Sequence, residues 1–216
     1  MIIILASSAA LAFSSKVLYK DFFQKMDPSW KVESGQWSVI SGHLVGTNEN
    51  QDEAVINLTK RLPPEYTIIW RVRVIGGKTA GFRIQRDNAN DIQISLYIDE
   101  SVVKIDKISP EENKDNRSFF AAYRYKGKTH FNGWHTIKIV MKDHLYVVKM
   151  DGLEIIRYGI EEAETLKPEE EIGLVSDGSI ESDHLVIRGV RQTDYVPWGS
   201  QLGNNSRSSG GSCCKK

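Results

Sequence analysis

Apolar side chains recur at every second position through most of the stretch from residue 16 to residue 191, and this rhythm constrains the fold more than any other feature. A β-strand turns successive side chains to opposite faces, so strict alternation means one face is buried and the other meets water. Thr67 to Val74 (TIIWRVRV) places Ile68, Trp70, Val72 and Val74 on one side and Arg71 and Arg73 on the other. Asp91 to Ile98 (DIQISLYI) turns Ile92, Ile94, Leu96 and Ile98 inward and Asp91, Gln93, Ser95 and Tyr97 outward. Trp134 to Met141 and Leu145 to Met150 continue the pattern. Turn-forming pairs punctuate these runs, among them Ser41-Gly42, Gly76-Gly77 and Asp177-Gly178. Asp151-Gly152, set between two such runs, has the residues that tolerate the positive φ angles of a type I′ hairpin.

About a dozen strands with turns every ~8–12 residues predict an all-β antiparallel sandwich of the jelly-roll kind. The one helix-like stretch is Ile160 to Leu166, ahead of Pro168. There is no βαβ alternation and no fixed-period repeat, which argues against nucleotide-binding α/β folds, propellers and solenoids. Lys plus Arg equals Asp plus Glu at 28 each, so the formal net charge is zero. A balanced surface offers no general attraction to phosphate, and nucleic acid is not an expected partner.

The ends differ from the middle. Met1 to Phe13 carries no charged side chain, is too short to cross a bilayer at ~20 residues, and reads as the apolar core of a secretory signal with Ala10-Leu11-Ala12 as the cleavage form. It lacks a basic leader, and a buried first strand or a strand donated to another subunit is the competing reading. The expected division is therefore an N-terminal apolar segment over residues 1–15, a sandwich domain over 16–198, and a Gly/Ser/Asn tail over 199–216. That tail ends in Cys213-Cys214-Lys215-Lys216, read either as a membrane tether or cross-link or as an end with no role. Export would make the sequons at Asn57, Asn116 and Asn204 glycosylation sites and would place the protein outside the cell, secreted or on the cell surface. No cysteine lies in the body, so packing alone must hold the core.

Several segments, taken in order, resemble the concanavalin A-like lectin/glucanase superfamily, particularly its laminin-G-like and glucanase-like modules. They are Trp30 to Leu44 (WKVESGQWSVISGHL), Thr79 to Asn90 (TAGFRIQRDNAN), Asn132 to Ile139 (NGWHTIKI) with Met150-Asp151-Gly152, and Glu171 to Leu174 (EIGL). The resemblance covers residues 17 to 191 and implies a two-sheet jelly roll. It does not imply one function, because the fold carries hydrolases, lectins and adhesion modules. Trp37 and Trp134 are expected as apolar anchors of the interior. A more distant likeness to 3-keto-disaccharide hydrolase-type domains lacks that group's Asn-Ser pair and has Asp91 where the group has Glu.

Glycoside hydrolysis requires two carboxyl groups at a set separation, supplied in the glucanase branch by Glu-x-Asp-x-Glu on one strand face. No such triplet occurs, and the acidic clusters around Glu53 and Asp183 have other spacings. The five histidines show no metal-ligand spacing. No cofactor is required by these motifs; structural calcium is an expectation that rests on the resemblance, through Asp21 and Asp183 on the first and last strands. The predicted ligand platform consists of Arg71, Arg73, Arg83, Gln85, Asp91, Gln93 and Tyr97, on the premise that their three strands are neighbours. That mixture of forked donors, acceptors and an aromatic ring suits sugar hydroxyls and a glycan or cell-surface protein partner. The expected function is a non-catalytic carbohydrate-binding or adhesion module. A hydrolase with an unconventional site and a surface-assembly subunit are the alternatives.

Overall fold

The alternation resolves into strands along the whole domain. The computed structural model describes residues 16–48, 53–77, 79–85, 91–97, 102–108, 118–124, 133–143, 145–159, 170–191 and 194, and for Gln85, Asp91, Gln93 and Tyr97 it describes the backbone alone. Met1 to Phe13, Asn116, Ile160 to Leu166, Asn204, Cys213 and Cys214 lie outside the described residues.

In chain order the strands are β1 (Val17–Asp21), β2 (Trp30–Ser34), β3 (Gln36–Ile40), β4 (His43–Thr47) and β5 (Ala54–Leu62). The middle of the chain gives β6 (Tyr66–Gly76), β7 (Thr79–Gln85), β8 (Asp91–Tyr97), β9 (Val102–Ile108) and β10 (Ser118–Arg124). The last third gives β11 (His135–Lys142), β12 (Leu145–Met150), β13 (Leu153–Gly159), β14 (Glu170–Ser176) and β15 (Ser179–Arg188). They pair antiparallel into two sheets. One runs β13-β12-β11-β6-β15-β4-β3 with β1 added against β15; the other runs β10-β9-β8-β7-β14-β5-β2.

The inward faces meet in one core. Trp70, Tyr66, Tyr146, Phe23, Phe82 and Leu44 are its largest fully buried side chains. Trp70 of the eight-stranded sheet meets Phe82 of the seven-stranded sheet with ring centroids 5.9 Å apart. Its indole N–H is not stranded by burial, because it donates to Ser182 Oγ at 3.0 Å. Ile94 and Ile139 are also fully buried, as the alternation requires. Asp151 (φ 50°) and Gly152 (φ 86°) form the expected turn with both φ angles positive, and Ser41 (φ 52°) and Gly42 (φ 78°) form a second one. Gly46 is needed for a different reason: an added Cβ would lie 2.4 Å from the Trp37 ring, which packs there against the core.

The connection from β6 to β7 departs from a simple hairpin. Gly76 and Gly77 carry the chain from one sheet to the other, passing so close to Gly178 that a Cβ on Gly77 would stand 2.6 Å from its Cα. Thr79 N–H then donates to Asp177 Oδ1 at 2.6 Å, locking the two turns together.

Beyond β15 the chain folds back over the outer side of the eight-stranded sheet. Asp194 is 2% exposed. Its carboxylate accepts from Arg188 Nη1 at 2.6 Å and Nη2 at 2.9 Å, from Thr67 Oγ1 at 3.1 Å, from the Arg191 N–H at 2.9 Å, and from Lys138 Nζ. Burial alone would raise its pKa, but the hydrogen bonds from Arg188 and Lys138 outweigh that and hold it far below the carboxylate range. Val190 packs beside this clasp on Val140, Leu145 and Val147.

Candidate functional site

The seven-stranded sheet presents a polar row on the side away from the core. Ile56, Phe82, Ile84, Ile94, Ile105, Ile172 and Leu174 face inward, so alternation turns Asn57, Arg83, Asp106 and Gly173 the other way. Cross-strand pairing then sets these positions side by side. Asn57 pairs with Gly173, Gly173 with Arg83, Arg83 with Gln93, and Gln93 with Asp106, one rung across five strands. The adjacent rung reads Val55, Val175, Gly81, Ser95 and Lys104.

This outer face is sheltered. Ser95 is 0% exposed and Asp106 3%, and Val55 and Val175 are buried with them, though none is part of the main hydrophobic cluster. Arg83 donates to Glu53 Oε2 at 2.9 Å, with side chains 13% and 15% exposed. Asn57 Nδ2 donates to Glu33 Oε2 at 2.8 Å, while its Oδ1 is enclosed with no hydrogen-bond partner among the described residues. The Asn57 amide lies over Gly173, where a Cβ would come within 2.4 Å of Oδ1. Glycine at that point keeps the middle of the row low, between amide and guanidinium. Asn57 and Arg83, which stay half-buried, are the members that can accept and donate hydrogen bonds to a polyhydroxyl ligand in a place partly withdrawn from water.

The predicted platform is corrected in one respect. Arg83, Gln85, Asp91, Gln93 and Tyr97 do lie on adjacent strands, β7 and β8. Arg71 and Arg73 do not join them, because β6 belongs to the other sheet and its outward side faces the opposite surface of the sandwich. Alternation decides which side of a strand meets the core, but not which sheet the strand enters. The row's other members, Asn57, Gly173 and Asp106, come from distant strands and carried no local signal beyond outward parity.

Other expected sites also move. Trp134 is not an interior anchor. It precedes β11, is half-buried, and lies against Arg71 and Arg73 with 5.0 Å from each guanidinium carbon to the ring centroid. The sequon residue Asn57 lies within β5, paired on both edges. Its amide nitrogen is engaged with Glu33. Asp21 and Asp183 do not converge on a common cation. Asp21 pairs with the buried Leu185 and accepts from Tyr19 Oη at 3.0 Å, Phe23 N–H at 2.7 Å and Trp30 Nε1 at 2.9 Å. Asp183 points outward to Arg71 Nη1 at 2.5 Å. Partial burial pushes the Asp183 pKa up, but hydrogen bonds from Arg71 and His184 outweigh it and keep the carboxyl below its usual range. Three donors on one carboxylate and a guanidinium on the other do not fit a calcium site. Among the described residues, no group of three or more His, Cys, Asp or Glu is placed to hold a metal ion.

Two antiparallel sheets packed face to face around one core make this an all-β jelly-roll sandwich. Solved structures show the same fold at low identity. The carbohydrate-binding module CBM66 from Bacillus subtilis matches with a TM-score of 0.61 and 14% identity over 74% of this chain and 96% of its own. The Emp46p carbohydrate recognition domain, in its potassium-bound form, matches with 0.61 and 15% over 81% and 97%. The endo-beta-1,3-glucanase from Pyrococcus furiosus matches with 0.63 and 12% over 81% and 94%. No family model matches the chain, and neither does any curated protein.

Proposed function

We propose that this chain is a non-catalytic carbohydrate-binding or adhesion module that acts outside the cell and holds a glycan on the outer face of the seven-stranded sheet. The observation that carries the reading is the sheltered row Asn57–Gly173–Arg83–Gln93–Asp106, polar at four of five positions, on the side of the sheet that the core does not use. Two neighbours in fold, CBM66 and the Emp46p domain, are named for carbohydrate binding and recognition. The glucanase neighbour shares the fold, but the central strands here offer Gly81, Arg83 and Gln85 on β7 and Asp91, Gln93 and Ser95 on β8. Neither strand has two carboxylates on one face, the arrangement by which a single strand supplies an acid and a nucleophile or base. Met1 to Phe13 supports export as part of the same proposal.

A glycan array tests the placement. Gln93→Ala is made alone and together with Arg83→Ala; Glu53→Ala is added to the pair because its partly enclosed carboxylate faces the Arg83 guanidinium. Binding lost in the combined variant, with the melting temperature held, supports the groove. Binding retained by all three variants refutes it.

A further inference from the structure

On the opposite surface, the outward side chains of the eight-stranded sheet form a second array. Arg71 and Arg73 stand two residues apart on β6 with 41% and 38% of their side chains exposed. Each is held by a carboxylate of β15: Arg71 Nη1 lies 2.5 Å from Asp183 Oδ2, and Arg73 Nε 2.5 Å from Glu181 Oε2. Trp134 lies across both guanidiniums. Both arginines rise from the outward side of one strand and meet the indole there, and Trp134 stays half-buried rather than enclosed. The His43 ring lies beside it, tilted by 42° with centroids 5.2 Å apart. His43 and His184 also approach Asp183, at 3.7 Å and 3.4 Å.

Two local devices build this array. The register of β15 against β6 shifts between Ser182 and His184, so that Ser182 turns inward to Trp70 while Asp183 and His184 both face outward. Bulges of this kind re-aim side chains, and they recur beside functional sites. The second device is the Asp151 turn. Its carboxylate accepts from Thr136 N–H at 2.8 Å and contacts His135 Nδ1 at 2.7 Å, which anchors the start of β11 immediately after Trp134.

We infer that this surface is a second saccharide platform, on which the C–H face of a pyranose ring stacks on Trp134 while the Arg71–Asp183 and Arg73–Glu181 pairs bind its hydroxyls. The chemistry excludes the main competitors. A polyanion gains little, because each guanidinium is already matched by a carboxylate. A cation is disfavoured on a ring that already carries two positive charges. An apolar peptide would cover both ion pairs without replacing their water contacts. A neutral polyhydroxyl compound meets all three requirements, since hydroxyls both donate to carboxylates and accept from guanidiniums. The ligand class rests on the carbohydrate reading proposed above, but the site shares no residue with that groove.

The test screens the full chain against neutral oligosaccharides, including β-1,3-glucan, N-acetylglucosamine and mucin-type series, with Trp134→Ala, Trp134→Phe and the Arg83→Ala/Gln93→Ala/Glu53→Ala variant. At least one sugar should bind about tenfold or more weakly to Trp134→Ala, the scale of a central aromatic contact. That sugar should be partly recovered by Trp134→Phe and retained by the groove variant. If Trp134→Ala keeps the affinity of every bound sugar, the inference falls, and the groove stands where its own variant loses binding. If the groove variant keeps every affinity, the groove falls, and this platform stands where Trp134→Ala loses binding. If the parent binds none of the series, both fall. Melting curves confirm that each variant is folded.

Discussion

Replacing Asp194 with alanine removes the carboxylate that fastens the chain after β15 to the eight-stranded sheet. Five donors converge on that group, and its main partner Arg188 has a side chain only 7% exposed. Lys138, 25% exposed, can turn to water, so its loss costs little. Arg188 cannot do so, and although it keeps the Gly189 carbonyl, removing the carboxylate from a buried ion pair costs about 3–5 kcal/mol. At about 2–4 °C per kcal/mol for a domain of this size, the melting temperature should fall by roughly 6–20 °C. The pH dependence has a fixed sign. Because the folded carboxyl sits below its unfolded value, its contribution is complete above about pH 4 and fades as pH falls toward the folded pKa. The difference between parent and variant should therefore be full at pH 7 and shrink progressively below pH 4. Thermal unfolding followed by circular dichroism from pH 7 to pH 2 measures both effects. A second variant, Arg188→Met/Asp194→Leu, removes both charges and should recover most of the loss. If Asp194→Ala melts within about 2 °C of the parent at pH 7, the clasp does not hold the sheet and the reasoning fails.

Gly46→Ala should destabilise by about 1–3 kcal/mol, because its Cβ collides with the rigid Trp37 ring; chemical denaturation reads this directly, and an unchanged midpoint would contradict the packing. Calcium and EDTA should leave the melting temperature of the parent unchanged, since the Asp21 carboxylate is satisfied by three protein donors and Asp183 faces Arg71. A shift on adding calcium would place a cation site elsewhere in the chain.

Much of the architecture was legible before any coordinate. The strands β6, β8, β11 and β12 fall where alternation sets them, and Asp151-Gly152 turns with the two positive φ angles its residues favour. These are properties of a few consecutive residues, so they can be read locally. The failures share the opposite character. Trp134 reads as core because large aromatics usually are, yet its position just before β11 puts it over the guanidiniums of β6. Asp183 and His184 both face outward only because a bulge breaks the period of β15, and nothing adjacent in the chain announces it.

By itself, then, the sequence determined an all-β domain, the parity of each strand and a surface without net charge, because side-chain direction in a strand follows from neighbouring residues and charge from composition. Tertiary structure alone decided which strands share a sheet. Pairing between β5, β14, β7, β8 and β9 joins residues as far apart as Asn57 and Gly173 into one polar row. The crossing at Gly76-Gly77 sends Arg71 and Arg73 to the opposite surface, where Trp134 meets them. Sheet membership is set by how the whole chain buries its apolar faces together, a long-range balance that no short segment records.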